Sequence, residues 1–339
     1  MAMLDIFRNR AFSTTSLTNA LNKVPFVPSG IGALNLFAPV PVRTKTIAVE
    51  ALQGKLTIIK TSPRGAPRQE RVNEKRNILD LRTTRLYAGD RIMADELQDV
   101  RAFGSETELM QVQTEVARRL SGPTGLMTSI EATWELHRLG AIQGKLLDSD
   151  GSVIYNYFTQ FGITEPAAID FDLAAKTEGT LRPLCSDVVR AVSRAAQGMF
   201  RPGAKIYAAC GDDFWDALLE HPDVKQTYLN WAAAADLRRE TAWSSMTFGG
   251  IEWSNYRGTD DGSTIAIPAG ECRFFTDAPG VFQVAWSPAE TMGWVNTPGQ
   301  PVYARTIPDR DRDEWVDIEV MSYPLFLCTM PETLQKGTL

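Results

Sequence analysis

The chain has 339 residues, 44% of them hydrophobic and 22% charged, and carries a formal net charge of -6. That composition excludes disordered, collagenous and coiled-coil classes, and the length allows one large domain or two medium ones. The acid excess argues against a protein whose main work is gripping nucleic acid by counterion release, and with no run near eighteen consecutive apolar residues a membrane span is not expected.

Residues 1 to 45 hold Pro25, Pro28, Pro39 and Pro41 with Gly30 and Gly32 among short apolar clusters. Such a segment makes neither a long helix nor a central strand. It is too apolar for a disordered tail, so it reads as an extended arm. Its Phe26, Leu34, Leu36 and Phe37 are expected to bury on another surface, a neighbouring copy or the parent domain. From Thr46 to Lys60, "TIAVEALQGKLTIIK" alternates like a strand, broken at Gly54, and "NILDLRTTRLY" alternates again to Leu86. Together they predict a long hairpin. Its tip, rich in Pro63, Gly65 and Pro67, carries Arg64, Arg68, Arg71, Lys75 and Arg76 beside Glu70 and Glu74. No aromatic residue interleaves between 60 and 86, so the stacking platforms of a single-strand nucleic-acid site are missing.

"AFGSETELMQVQTEVARRL" predicts a helix, with Ser105 and Glu108 as a capping box and Leu109, Val112, Val116 and Leu120 at helical spacing. Gly122 and Pro123 interrupt it, and a second run through Met127, Ile130 and Trp134 extends to about Leu139. "KLLDSDGSVIYNYF" places Asp150-Gly151 between apolar limbs, a strong hairpin signal. An α/β block begins near Gly179: Leu181, Leu184, Val188, Val192, Ala195 and Met199 share a helix face closed by "RPG" at 201 to 203. "AKIYAAC" reads as a buried strand. "GDDFWDALLEHPDVKQTYL" reads as helix, with Asp212 or Asp213 as N-cap and Pro222 as a stop. "FGGIEWSNYRG" and "GECRFFTDAPGVFQVAW" read as strands and turns, and residues 287 to 313 as loop. The closing "EWVDIEVMSYPLFLCTM" alternates Trp315, Ile318 and Val320 before an apolar run, so it should pair as a strand inside the core.

The chemistry-bearing residues form no recognisable site. His137 falls on the helix face of Ile130 and Trp134 and reads as a core-edge histidine; His221 precedes Pro222 at a helix end, where a protonated imidazole would suit the dipole. "DRDRDE" at 309 to 314 lacks the glycine and the final bidentate acid of a calcium loop, holding Glu314 and Val320 there, so it reads as a solvated loop. Cys185, Cys210, Cys272 and Cys328 have no metal-ligand spacing and read as reduced, buried small hydrophobes. No phosphate-binding or dinucleotide fingerprint occurs. These features point away from an enzyme and imply no cofactor and no metal; a metal-dependent hydrolase built on Asp212, Asp213, Asp309 and Asp311 is the weakest reading.

Apolar arm, long hairpin with a charged tip, long helix, short hairpin, α/β block and terminal strand, in that order, resemble the tailed-phage major capsid proteins of Hong Kong 97-type fold. The sequence is similar to the lambda-type capsid protein E family. The resemblance rests on "KVPFVPSGIGALNLF", "SPRGAPRQERVNEKR", "RAFGSE", "DGSVIYNYF", "KIYAACGDDFWDALLEHPDVKQTYL", "MTFGGIEW" and "EVMSYPLFLCTMPE", which span almost the whole chain. It implies an α+β fold with an N-terminal arm (1–45), an extended E-loop (46–100), a peripheral domain with spine helix and β-hairpin (101–164), an axial domain (165–300) and a return to the peripheral domain (301–339). It also implies self-assembly into hexamers and pentamers of an icosahedral virion shell around double-stranded DNA, contacted non-specifically, with decoration, scaffold and portal proteins as further partners and assembly in the bacterial cytoplasm. The tip residues Arg64, Arg68, Glu70, Arg71, Lys75 and Arg76 would then lie on a neighbouring subunit, arginine meeting carboxylate. The alternative is an encapsulin-like compartment with other cargo. No crosslinking lysine and asparagine pair of the kind known for the fold's namesake can be aligned.

Overall fold

The computed structural model describes residues 18, 30–51, 77–98, 108–122, 125–196, 200, 203–229, 245–256, 258, 265–312 and 314–339. A short 3-10 turn, Gly30–Leu34, leads into strand β1 (Ala38–Pro41), whose Pro39 and Pro41 cost no ladder bonds because β1 is an edge strand. Strands β2 (Thr46–Ala51) and β3 (Asn77–Arg82) pair antiparallel, Thr46 opposite Arg82 and Ala51 opposite Asn77, with Ile47, Val49 and Leu81 turned into the core. They are the base of the expected hairpin. Strand β4 (Leu86–Met93) runs into the short helix α1 (Ala94–Gln98).

Helices α2 (Glu108–Ser121) and α3 (Leu126–Gln143) are separate, broken where Gly122 and Pro123 stand in the sequence. Helix α3 runs one turn past the expected end and stops at Gly144, whose left-handed backbone (φ 78°) turns its N–H back to Ala141 and Gly140 carbonyls. From Trp134 to Ile142 every residue is buried, which makes α3 the central rod of the first core. Around it lie the hairpin β5 (Lys145–Leu147) and β6 (Val153–Asn156) and then α4 (Tyr157–Phe161), after which β7 (Ile169–Asp170) enters the sheet of the α/β block.

The α/β block holds α5 (Leu181–Ala195), β8 (Ile206–Cys210), α6 (Asp212–Glu220), α7 (Pro222–Leu229), β9 (Ser245–Phe248), β10 (Ile251–Asn255) and β11 (Glu271–Thr276). Two local expectations need correction. The N-cap of α6 is Gly211, not an aspartate; Asp212 and Asp213 fill the first helical turn, where the dipole favours negative charge. Pro222 stops α6 and also opens α7, because a first helical position needs no N–H. There His221 is buried and its Nδ1 accepts the Asp223 N–H at 3.2 Å, so the imidazole caps the start of α7. The Asp223 carboxylate in turn accepts the Gly179 and Leu181 N–H groups at 2.7 and 3.2 Å, fixing the start of α5.

The remaining strands are β12 (Phe282–Trp286), β13 (Tyr303–Pro308), β14 (Trp315–Ser322), β15 (Pro324–Cys328) and β16 (Gln335–Thr338). Strand β13 lies inside the stretch expected as loop, and β16 follows the strand expected to be last. The sheet orders are β1-β12-β15, β13-β14-β4 and β7-β16-β11-β8-β10-β9. The C-terminal quarter therefore laces the whole chain together: β14 is central between β4 and β13, β15 pairs with β12, and β16 sits between β7 and β11 in the block's sheet. One core gathers around α3; a second, with Trp215, Trp253, Phe171, Phe214 and Phe274, fills the block.

Candidate functional site

The surfaces singled out by sequence are the arm and the hairpin tip. Phe26 and the tip residues Arg64, Arg68, Glu70, Arg71, Lys75 and Arg76 lie outside the described residues. Of the arm's other apolar residues, Leu36 and Phe37 pack on the first core, Phe37 with ring centroids 5.1 Å from Phe282 and 5.3 Å from Phe326, whereas Leu34 stays 38% exposed. Thr18 is also held by its own chain: its hydroxyl donates to the Ala304 carbonyl at 3.3 Å and accepts the Ala304 N–H at 3.0 Å, closing part of the free edge of β13.

The anchor of the arm is a buried polar cluster on α3 that sequence reasoning missed. The Glu135 carboxylate accepts the Ile31 N–H at 2.6 Å, the Gly32 N–H at 3.1 Å and the Tyr256 hydroxyl at 3.1 Å, with the Arg138 guanidinium at 3.3 Å. Glu135 and Arg138 are only 5% and 9% exposed. Burial raises the Glu135 pKa against the pull of those donors, and burial lowers that of Arg138 against the pull of Glu135. The turn requires glycine at position 30 and leaves little room for a side chain at position 32. A Cβ on Gly30, at φ +54°, would stand 2.6 Å from Glu135 Oε1, and one on Gly32 would stand 3.0 Å from Arg138 Nη1. The available signal was a glutamate and an arginine three residues apart between Trp134, Leu136 and Leu139; nothing local names the turn a hundred residues earlier as their partner.

The hairpin base has its own fixtures. Tyr155 clamps Arg82, its hydroxyl accepting the Arg82 N–H at 3.1 Å and donating to the Arg82 carbonyl at 3.2 Å. Arg119, at the end of α2, bonds Asp90 Oδ2 at 3.0 Å, the Arg91 carbonyl at 2.7 Å, Glu115 at 2.8 Å and Glu96, so helix and strand are pinned where the hairpin limb ends. Arg118, with Arg119 beside it, holds the Glu115 carboxyl down to about 2 in spite of burial. On the outer face of β13-β14-β4, Arg91 forks onto Asp317 at 2.7 and 3.2 Å and lies 4.1 Å over the Trp315 ring, while Arg305 pairs with Glu319. Arg85, just before β4, pairs with Glu290 at 3.1 Å. These arginines meet carboxylates of the same chain.

His137 is 1% exposed, its Nδ1 has no hydrogen-bond partner among the described residues, and burial lowers its pKa to about 4 against an opposing pull from Asp148. The unfolded chain takes up that proton near pH 6.5, well before the folded one, so this contribution to stability is complete above 6.5 and drains as pH falls toward 4, by about 3 kcal/mol. Glu115 adds a second loss between its ordinary 4.5 and about 2. The melting temperature is therefore expected to fall from pH 6.5 downward, and His137→Phe to flatten the part above pH 4.5. An unchanged slope in that variant, measured by calorimetry across the pH series, would refute the assignment.

The four aspartates of the hydrolase reading are not gathered. Asp212 and Asp213 open α6, Asp212 accepting from Asn255 at 2.8 Å, and Asp309 and Asp311 share the β13–β14 turn. No group of three or more potential metal ligands occurs among the described residues, nor does any helix there have the length and apolarity to cross a membrane.

Among known proteins, the major capsid protein of Salmonella phage Felix O1 is 24% identical, aligned over 98% of this chain and 97% of its own. That of Pseudomonas phage KPP10 is also 24% identical, with 96% of each chain covered. A prophage protein of E. coli CFT073, assigned as a capsid protein, superposes with a TM-score of 0.56 at 14% identity over 96% of this chain and 99% of its own. The capsid of the empty GTA particle superposes at 0.52 with 13% identity, over 93% and 91%. The fold is thus the α+β, Hong Kong 97-type capsid fold. The sequence model of one family matches residues 13–339, nearly the whole chain, and the chain belongs to that family, the phage major capsid protein E family.

Proposed function

We propose that the chain closes into hexamers and pentamers that tile an icosahedral phage head around double-stranded DNA. As a member of a major capsid protein family it is a structural component of the virion, present in many copies per shell. The observation that carries the finer reading is the near-complete family match together with a hairpin whose base is fixed in the first core by Ile47, Val49, Leu81 and Tyr155. A limb anchored in that way can carry residues 52–76 onto a neighbour. In this reading the first core with α3 is the peripheral domain, the six-stranded block is the axial domain, and β16 ties the C-terminus into the latter. The shell assembles in the bacterial cytoplasm without enzymatic chemistry of its own. It contacts DNA non-specifically, and scaffold, portal and decoration proteins are its other partners.

Expression of the chain alone, followed by electron microscopy, tests this: closed particles built of hexamers and pentamers are expected, and a monodisperse monomer under all assembly conditions would sink the proposal. Arg64→Glu, Arg68→Glu and Arg71→Glu combined should cut particle yield by sedimentation about tenfold, since weak exposed pairs multiply around a shell. The isolated subunit should keep its melting temperature. If particles instead form normally and the salt slope of DNA binding falls by about three, the tip is a nucleic-acid contact.

A further inference from the structure

We propose that Cys210 and Cys272 form a redox-convertible pair, a site for a cross-strand disulfide that staples β8 to β11 in the six-stranded sheet. The two residues stand directly opposite each other in the antiparallel ladder, and their sulfurs are 3.2 Å apart. The ladder phase suits a disulfide. At the adjacent pair, the Gly211 N–H donates to the Glu271 carbonyl at 2.9 Å, which makes Cys210 and Cys272 a non-hydrogen-bonded pair, the position where opposed Cα atoms come closest. Cys210 bonds the other way, its carbonyl accepting the Tyr256 N–H at 2.9 Å. Opposed Cα atoms in such a pair, about 4.5 Å apart, fall inside the range a disulfide spans, so bond formation needs the sulfurs to close by only about 1 Å.

The other two thiols have no such partner. Cys185 lies on α5 against Gly249, and Cys328 closes β15 in the first core. All four are free and buried. Burial pushes the Cys272 thiol far above its ordinary pKa, which keeps its thiolate scarce and slows exchange while the sheet is closed. Access comes at the ladder end. Cys210 is the last residue of β8 and Cys272 the second of β11, beside the turn in which the Glu271 N–H bonds the Pro268 carbonyl.

The oxidant is a small-molecule disulfide. One cysteine, as thiolate, attacks it and releases one thiol, leaving a mixed disulfide; the second cysteine attacks the protein sulfur of that bond and releases the other. One sulfur–sulfur bond breaks and one forms, and two electrons and two protons pass from the cysteines to the oxidant, which departs as two thiols. Inside a host kept reducing the pair stays as thiols; in a particle released to oxidising surroundings the staple can close.

The test is incubation of the assembled protein with oxidised glutathione across a urea series below the unfolding midpoint, followed by unfolding, alkylation of free thiols and peptide mapping. Loss of two of the four thiols, a Cys210–Cys272 peptide, a rate that rises with urea, and a reductant-reversible rise in melting temperature on the order of 5 °C are expected. Cys185→Ala and Cys328→Ala should crosslink as before and Cys272→Ala should not. Four intact thiols at every urea concentration, or a mapped bond through Cys185 or Cys328, would overturn the proposal; the mapping on the unaltered chain needs no variant to fold.

Discussion

Truncation before Glu314 is expected to yield insoluble protein. Three strands go at once, each from a different sheet. Loss of β14 separates β4 from β13 and removes Ile318 and Val320, both fully buried. Loss of β15 strips β12 of its antiparallel partner and takes Leu325, Phe326 and Leu327 from the first core, along with the carbonyl that accepts the Tyr157 hydroxyl. Loss of β16 leaves β7 without its partner, opens one edge of β11, and bares the Phe171 and Phe274 rings that pack on Gly337. Each large apolar side chain contributes about 1.5 to 3 kcal/mol by burial, so five of them together are comparable to the roughly 5 to 15 kcal/mol that a whole domain typically holds in reserve. Unpaired ladder groups add to the loss and offer edges for aggregation. Removal of residues 335–339 alone touches only the block's sheet and is expected to lower the melting temperature while the protein stays soluble. Soluble, cooperatively melting protein after the longer truncation would show that these strands are not integral to the core.

What the sequence disclosed follows the range of the forces involved. The break after Ser121, the Asp150-Gly151 hairpin and the start of the helix at Leu181 rest on turn chemistry and periodicity within a few residues and stand where those signals put them, whereas that helix ends at Ala195, short of the expected close at 201–203, and Met199 lies outside the described residues. Strands β1, β13 and β16 were not legible. "APVP" has poor strand propensity and is held extended by β12 alone; "QKGT" is short and polar, and becomes a strand because β7 and β11 flank it. Tertiary pairing overrides propensity in both. The arm was legible in kind, apolar and proline-broken, but its docking was not: Leu36 and Phe37 turn into the chain's own core, and the hydrogen bonds that fix the preceding turn come from Glu135, more than a hundred residues away.

Glu135→Ala is expected to destabilise the folded chain by about 3 to 5 kcal/mol, because it leaves the Arg138 guanidinium buried without its ion-pair partner and the Ile31 and Gly32 N–H groups without their acceptor. Two separate roles are lost in that variant, one holding α3 together electrostatically and one tethering the arm. Glu135→Leu with Arg138→Met separates them. Removing both charges ends the burial penalty, so much of the melting temperature should return, whereas the arm still lacks its carboxylate. Limited proteolysis should then cut near residue 30 in the single and the double variant alike, and only the single should melt early. Gly30→Ala reaches the same tether from the other side, since its Cβ meets Glu135 and Tyr256 while the Glu135–Arg138 pair is left in place. If the double variant protects the arm as well as the unaltered chain does, Glu135 serves only to neutralise Arg138, and the arm is held by Leu36 and Phe37 on the core.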